Sequence, residues 1–229
     1  KDLITREWVI MSPERARRPS DFKHGLEAQA IITKNHSVCP FCPGNESMTP
    51  PEIIAFRGKG AKANSPGWWV RVMPNRFPAL TIEGMPNRSE HIIYDKMDGI
   101  GAHEVIVETP EHGKTLSRLD EKQMREILWA YRERYMDLCK DRRLKYILIF
   151  KNHGRVAGAS IEHSHSQLIA TPMIPQQVWI KVKGIEQYYD YRDNCAYCDI
   201  VKTESGHGER TVAENESFIA IEPYASRHP

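Results

Sequence analysis

One stretch most restricts what this chain can become: "SRLDEKQMREILWAYRERYMDLCK", residues 117 to 140, the clearest helix in the sequence. Met124, Ile127, Leu128, Tyr131, Tyr135 and Leu138 recur at helical spacing and predict one apolar face. Ser117 with Asp120 suggests a capping box at its start. Around this helix the apolar runs are short, β-branched and bounded by proline or glycine. "GWWVRVMPNRFPAL" predicts a strand ending at Pro74; "HIIYD" and "HEVIVETPEH" are strand candidates; "YILIF" (146–150) reads as a buried strand. A short strand is also expected at Trp8 to Met11, before a polar loop with three arginines between Pro13 and Pro19. Hairpin-paired strands with one long helix between them predict an α+β fold with an antiparallel sheet.

Composition narrows the functional classes. A net charge of +2 over 229 residues leaves no broad electrostatic footprint for nucleic acid. No apolar run approaches the roughly 18 residues that span a bilayer, so no membrane partner is expected. Five cysteines in a chain of this length do not resemble a disulfide scaffold, and a reducing, cytoplasmic setting is expected.

Four of those cysteines form two C-x-x-C pairs, Cys39 with Cys42 and Cys195 with Cys198. This spacing lets two thiolates from one turn bind a single zinc ion, with the chain's ten histidines as the pool for further ligands. A redox pair, or two small buried residues, are the other readings of an isolated pair. The two pairs are too far apart in sequence to share one compact ribbon, so two separate metal sites are more natural. After the second pair, a polar loop and the strand-like "SFIAIEPYASRHP" repeat the layout that follows the first. The expected organisation is a catalytic domain over 1–185 and the incomplete second copy of a duplicated unit over 186–229.

The segment "NHGRVAGASIEHSHSQ" (152–167) is the densest in chemistry. On an extended strand His163, His165 and Gln167 share a face, which suits a site better than a core. Gly154 and Gly158 allow backbone N–H groups to approach an anion, and Ser160, Ser164 and Ser166 add hydroxyl donors. A neutral imidazole is a competent nucleophile toward phosphorus and a good leaving group afterwards. A pair of metal ligands, or incidental histidines on a surface strand, are the alternatives that H-x-H leaves open.

This segment resembles the active-site stretch of the galactose-1-phosphate uridylyltransferase branch of the histidine triad superfamily. So do "WVIMSPERARRP", "VMPNRFPAL" and "ETPEHGKTLSRL", in the family's order along the chain. The resemblance implies duplicated histidine-triad-like units and ping-pong nucleotidyl transfer. His165 falls on the nucleophile, Gln167 on the glutamine that bonds the transferred phosphate, and Ser160 on the serine that contacts the other phosphate. Arg15, Arg18, Asn75, Phe77, Asn152 and Gly158 fall on nucleotide-binding positions. Cys39, Cys42, His112 and His163 fall on the ligands of a zinc site, and Cys195 and Cys198 on part of a second. Partners implied are a nucleotide sugar such as UDP-glucose, a hexose 1-phosphate or phosphate, and a second copy in a homodimer. Ser164 and Ser166 depart from the family's usual proline and glycine, which brings the chain nearer to ADP-glucose phosphorylase-type relatives. A histidine triad hydrolase is the other enzyme reading, and Gln167 in place of a further histidine argues for transfer.

Overall fold

The computed structural model describes residues 1–13, 39–154 and 156–226, in two compact units, Lys1–Ile174 and Pro175–Pro229. Arg15, Arg17, Arg18, His24, His36 and His228 lie outside the described residues. The chain is mixed α/β with an antiparallel main sheet, as its patterning predicts. Among the described residues no helix is long and apolar enough to cross a membrane.

The first unit is built on a five-stranded sheet. Its strands are β1 (Ile54–Arg57), β2 (Trp68–Pro74), β5 (Ala102–Val107), β6 (Tyr146–Phe150) and β7 (His165–Thr171), in the order β1-β2-β5-β7-β6. All neighbours pair antiparallel. Helix α1 (Glu121–Leu138) covers one face, where Ile127, Ala130 and Leu138 pack with Val70, Val72, Ile106, Leu168 and Ala170. The other face carries a second cluster of Cys39, Phe41, Cys42, Trp68, Met73, Val105 and Val107. Strand alternation sorts the two sets.

One irregularity shapes this sorting. The register shifts between Phe56, opposite Val70, and Arg57, opposite Trp68, so Trp69 is an extra residue on β2. The shift moves Trp68 off the face of Val70 and Val72 and puts Trp69 there instead. Trp68 Nε1 donates to Glu46 Oε1 at 2.8 Å beside the cysteine loop, and Trp69 Nε1 donates to Glu126 Oε2 at 3.1 Å on α1. At the entry to β5, Gly101 runs at φ +153°, and a Cβ built there would lie 2.2 Å from the Ala170 carbonyl oxygen on β7. Only glycine fits that approach.

Several local expectations are corrected. Asp120, not Ser117, caps α1, accepting from the Gln123 N–H at 2.7 Å, while Ser117 sits in a preceding 3₁₀ turn, Leu116–Arg118. The buried stripe of α1 runs through Ile127, Ala130, Arg134 and Leu138 with Met124 and Tyr131 beside it; Leu128 and Tyr135 turn outward. Arg134 is buried because its guanidinium meets both oxygens of Glu104 at 2.7 Å, a bidentate pair that apolar periodicity does not register. "HIIYD" is not one strand: β3 (Arg88–His91) and β4 (Tyr94–Met97) form a hairpin whose turn exposes Ile92 and Ile93. β6 is an edge strand and only half-buried. Trp8 to Met11 belongs to no sheet.

The second unit consists of α2 (Gln176–Arg192), α3 (Ala196–His207) and a hairpin of β8 (Thr211–Glu214) with β9 (Ile219–Ile221). Its boundary falls at 174/175, so α2 lies whole in this unit. The stretch after Cys198, expected to be a polar loop, is helix: Cys195 is the N-cap residue of α3, and Gly208 ends the helix at φ 72°.

Candidate active site and metal centre

The metal-ligand group forms where a tight loop meets the start of β7. Residues 39–45 turn on themselves through Cys42 N–H to Cys39 O and Asn45 N–H to Cys42 O, at 3.2 and 3.1 Å, which places both thiols on one side. His163 Nδ1 lies 3.7 Å from Cys39 Sγ and 3.6 Å from Cys42 Sγ, and His112 Nδ1 lies 3.3 Å from Cys42 Sγ. All four ligand atoms fall within 4.8 Å of one another. The group is thus the one read from the family resemblance, gathered from three distant segments.

Its donor chemistry fits zinc. Two thiols and two imidazole nitrogens are a tetrahedral Cys₂His₂ set. His163 Nε2 faces the Thr109 carbonyl at 2.7 Å; a carbonyl only accepts, so Nε2 holds the proton and the Nδ1 lone pair is turned toward the cysteines. Desolvation pushes Cys39 up and Cys42 up to about 12, so without a cation both would remain neutral thiols. A bound dication would reverse that preference and hold the thiolates.

His165 opens β7 on the same face. Its Nδ1 lies 2.8 Å from the His163 carbonyl, which fixes the proton on Nδ1 and the lone pair on Nε2. The Phe41 ring packs edge-on against it at a centroid distance of 5.2 Å. The imidazole is therefore held from its own backbone, with no carboxylate partner needed.

Further along that face is a residue the sequence reading left in the histidine pool. His103 on β5 is a diagonal neighbour of Gln167, which pairs with Val105. His103 Nε2 lies 2.9 Å from Gln167 Oε1 and 3.2 Å from Asn75 Nδ2, and its Nδ1 accepts the Ala79 N–H at 3.0 Å. The Phe77 N–H donates to Asn75 Oδ1 at 2.9 Å. The structure thus gathers Gln167, Asn75 and Phe77 around one buried imidazole. Asn152 and Gly158 lie exposed in the loop after β6, and Ser160 is half-buried at its end. Cys195 and Cys198 belong to the second unit. There the Cys198 and Tyr197 N–H groups hold the Cys195 thiol below its ordinary value, and Cys195 pushes Cys198 up.

The opposite face of the same strand holds a buried polar network. Ser164 and Ser166 both donate to Glu108, Ser164 to Oε2 at 2.6 Å and Ser166 to Oε1. Lys151 Nζ reaches Glu108 Oε2 at 2.5 Å, Ser164 Oγ at 3.0 Å and the His165 carbonyl at 3.1 Å. The Tyr131 hydroxyl from α1 lies 2.7 Å from Ser166 Oγ and 3.1 Å from Glu108 Oε1. Desolvation pushes the Glu108 carboxyl up, but donors from Lys151, Ser164 and Ser166 outweigh it and hold it below its ordinary range. Desolvation, then the Glu108 charge, pushes the Tyr131 phenol up. Glu108 opens the stretch "ETPEHGKTLSRL", but nothing in the sequence tied it to Ser164, 56 residues away.

Known proteins share this architecture. Over 231 aligned residues the chain is 35% identical to ADP-glucose phosphorylase of Arabidopsis thaliana, covering 100% of this chain and 62% of that one. It is 28% identical to galactose-1-phosphate uridylyltransferase of Thermotoga maritima, covering 99% and 62%. The crystal structure of the Arabidopsis thaliana ADP-glucose phosphorylase with bound ADP-glucose superposes with a TM-score of 0.69 at 33% identity, covering 99% and 63%. A uridylyltransferase structure superposes at 0.74 and 29% identity, covering 99% and 61%. The chain spans about three fifths of the length of these relatives. Residues 2–175 match the N-terminal domain of galactose-1-phosphate uridyl transferase, and the chain belongs to that family.

Proposed function

We propose that this chain carries out covalent nucleotidyl transfer from a nucleotide sugar, with His165 as the nucleophile. The observation that carries the reading is the pair of fixed tautomers. His163 turns Nδ1 to the cysteines while its carbonyl accepts the His165 Nδ1 proton, so His165 keeps its lone pair on Nε2. Nε2 forms a bond to the α-phosphorus, the bond from that phosphorus to the bridging oxygen breaks, and the sugar 1-phosphate leaves. An oxygen of the acceptor then attacks the same phosphorus and the N–P bond breaks, returning the neutral imidazole. Cys39, Cys42, His112 and His163 would hold zinc, which would supply a rigid anchor at His163, next but one to the nucleophile.

In this reading Gln167 bonds the phosphate on His165 and Ser160 the other phosphate, while Arg15, Arg18, Asn75, Phe77, Asn152 and Gly158 bind the nucleotide. The second unit is the start of a second histidine-triad-like half, with Cys195 and Cys198 as part of another metal site, and the working form is a homodimer. Two donors fit the chemistry. Uridylyl transfer from UDP-glucose to a hexose 1-phosphate follows the family as a whole. Adenylyl transfer from ADP-glucose to phosphate is favoured by the 35% identity to the phosphorylase and by the Ser164 and Ser166 departures. Intact-mass spectrometry after mixing with each sugar nucleotide separates them. A uridylyl-sized or adenylyl-sized addition, abolished in His165→Asn, identifies the donor; no addition from either counts against covalent transfer.

A further inference from the structure

An amide side chain can present either its carbonyl oxygen or its NH₂ group to whatever lies before it, and a phosphoryl oxygen accepts only from the NH₂ group. We infer that His103 decides this for Gln167: it is a positioning residue that locks the amide with its N–H donors turned toward the transferred phosphoryl group. The inference rests on the transfer reading above and assigns a role to a residue outside its reacting set.

The tautomer follows from the partners. The Ala79 backbone N–H, 3.0 Å from His103 Nδ1, can only donate, so Nδ1 accepts and the single proton of the neutral ring sits on Nε2. That N–H has Gln167 Oε1 at 2.9 Å. The Asn75 NH₂ already faces this nitrogen at 3.2 Å, so a flipped Gln167 would leave the Nε2 N–H with a second donor and no acceptor among these partners, where His103 is only 4% exposed. Asn75 does not compete for the proton. The Phe77 N–H donates to its Oδ1 at 2.9 Å, so the group it turns to the ring, at 3.2 Å, is its own donor NH₂. The Gln167 oxygen is the acceptor among these partners, and its N–H donors point away from the ring. His103 is itself held by the sheet, since its carbonyl accepts the Asn75 N–H at 2.8 Å.

The test is a double-mutant cycle on single-turnover formation of nucleotidyl-His165. Zinc-loaded protein is mixed with UDP-glucose or ADP-glucose and followed by intact mass, for wild type, His103→Leu, His103→Gln, Gln167→Ala and the double variant His103→Leu with Gln167→Ala. His103→Leu is expected to slow the adduct by about 10- to 100-fold, the usual effect of removing a supporting partner. His103→Gln, whose amide can still donate toward Gln167, recovers most of the rate. In the Gln167→Ala background, His103→Leu adds little. Equal losses with and without Gln167, or a His103→Leu protein at wild-type rate, overturn the inference. Should His103→Leu fail to fold, a folded His103→Gln as slow as Gln167→Ala overturns it, and one near wild-type rate supports it. A wild type with no adduct from either donor sinks the transfer reading and this inference together; an adduct untouched by His103 variants sinks the inference alone.

Discussion

The two faces of β7 and the residues leading into it do different work with alternate residues. His163, His165 and Gln167 turn to the cysteine loop and His103, whereas Ser164, Ser166 and Leu168 turn to Glu108 and helix α1. The first face is a set of tautomers fixed by backbone carbonyls and amides. The second is a carboxylate saturated by hydroxyls and an ammonium in a place where it is fully buried. The two sides are joined, because Lys151 also bonds the carbonyl of His165. Substitutions on the first face should change rate or metal, and those on the second should change stability first.

The largest effect separating the faces should come from His165→Asn. Turnover is expected to fall by about 10³-fold or more while thermal melting stays close to wild type, measured by steady-state assay and differential scanning. Cys39→Ala comes next: metal analysis should show the zinc at this centre lost, with a lower melting temperature, and a strong chelator should shift the wild type the same way. On the second face Glu108→Ala leaves the Lys151 ammonium with its carboxylate partner removed, and urea unfolding should show a loss of roughly 3 kcal/mol. Ser166→Ala removes one of several donors to that carboxylate and should cost about 1.5 kcal/mol. A Glu108→Ala protein as stable as His165→Asn would break the comparison.

The same carboxylate gives a pH signature. Glu108 is held below its ordinary value of 4.5 in the folded chain, so the unfolded chain takes up its proton first as pH falls. The stability it contributes is present above that value and is lost as pH drops through the lower folded one. The difference in melting temperature between wild type and Glu108→Gln should therefore shrink on acidification from pH 6 to pH 3. A constant difference would mean that Glu108 is not held ionised by its donors.

The sequence made one face of β7 far more legible than the other. H-x-H-x-Q is local, so alternation places its side chains together, and the C-x-x-C spacing carries its own geometry. Glu108, Lys151 and Tyr131 come from three separate elements, and each reads alone as an ordinary strand end, loop cation or helix residue. His103 was hidden for a related reason: its role lies in which nitrogen faces which neighbour, and that depends on strand register. The helix was visible as an element and Met124, Ile127, Tyr131 and Leu138 lie on its packed face, but Leu128 and Tyr135 turn outward, and Arg134 is buried through Glu104 and not through hydrophobicity. Turn chemistry at Ile92 and the capping by Asp120 were missed where short-range patterns admitted two readings.

Gly101 sets how closely β5 and β7 approach. A residue there with even one methyl group would meet the Ala170 carbonyl, and the conflict could be relieved only by sliding or parting β5 and β7. Those strands carry His103 and Gln167, whose contact tolerates little displacement before an N–H and an oxygen lose each other. The absence of a side chain at one buried position therefore works as a spacing gauge for the site. Through it, a substitution that touches no substrate would be felt as a misaligned amide.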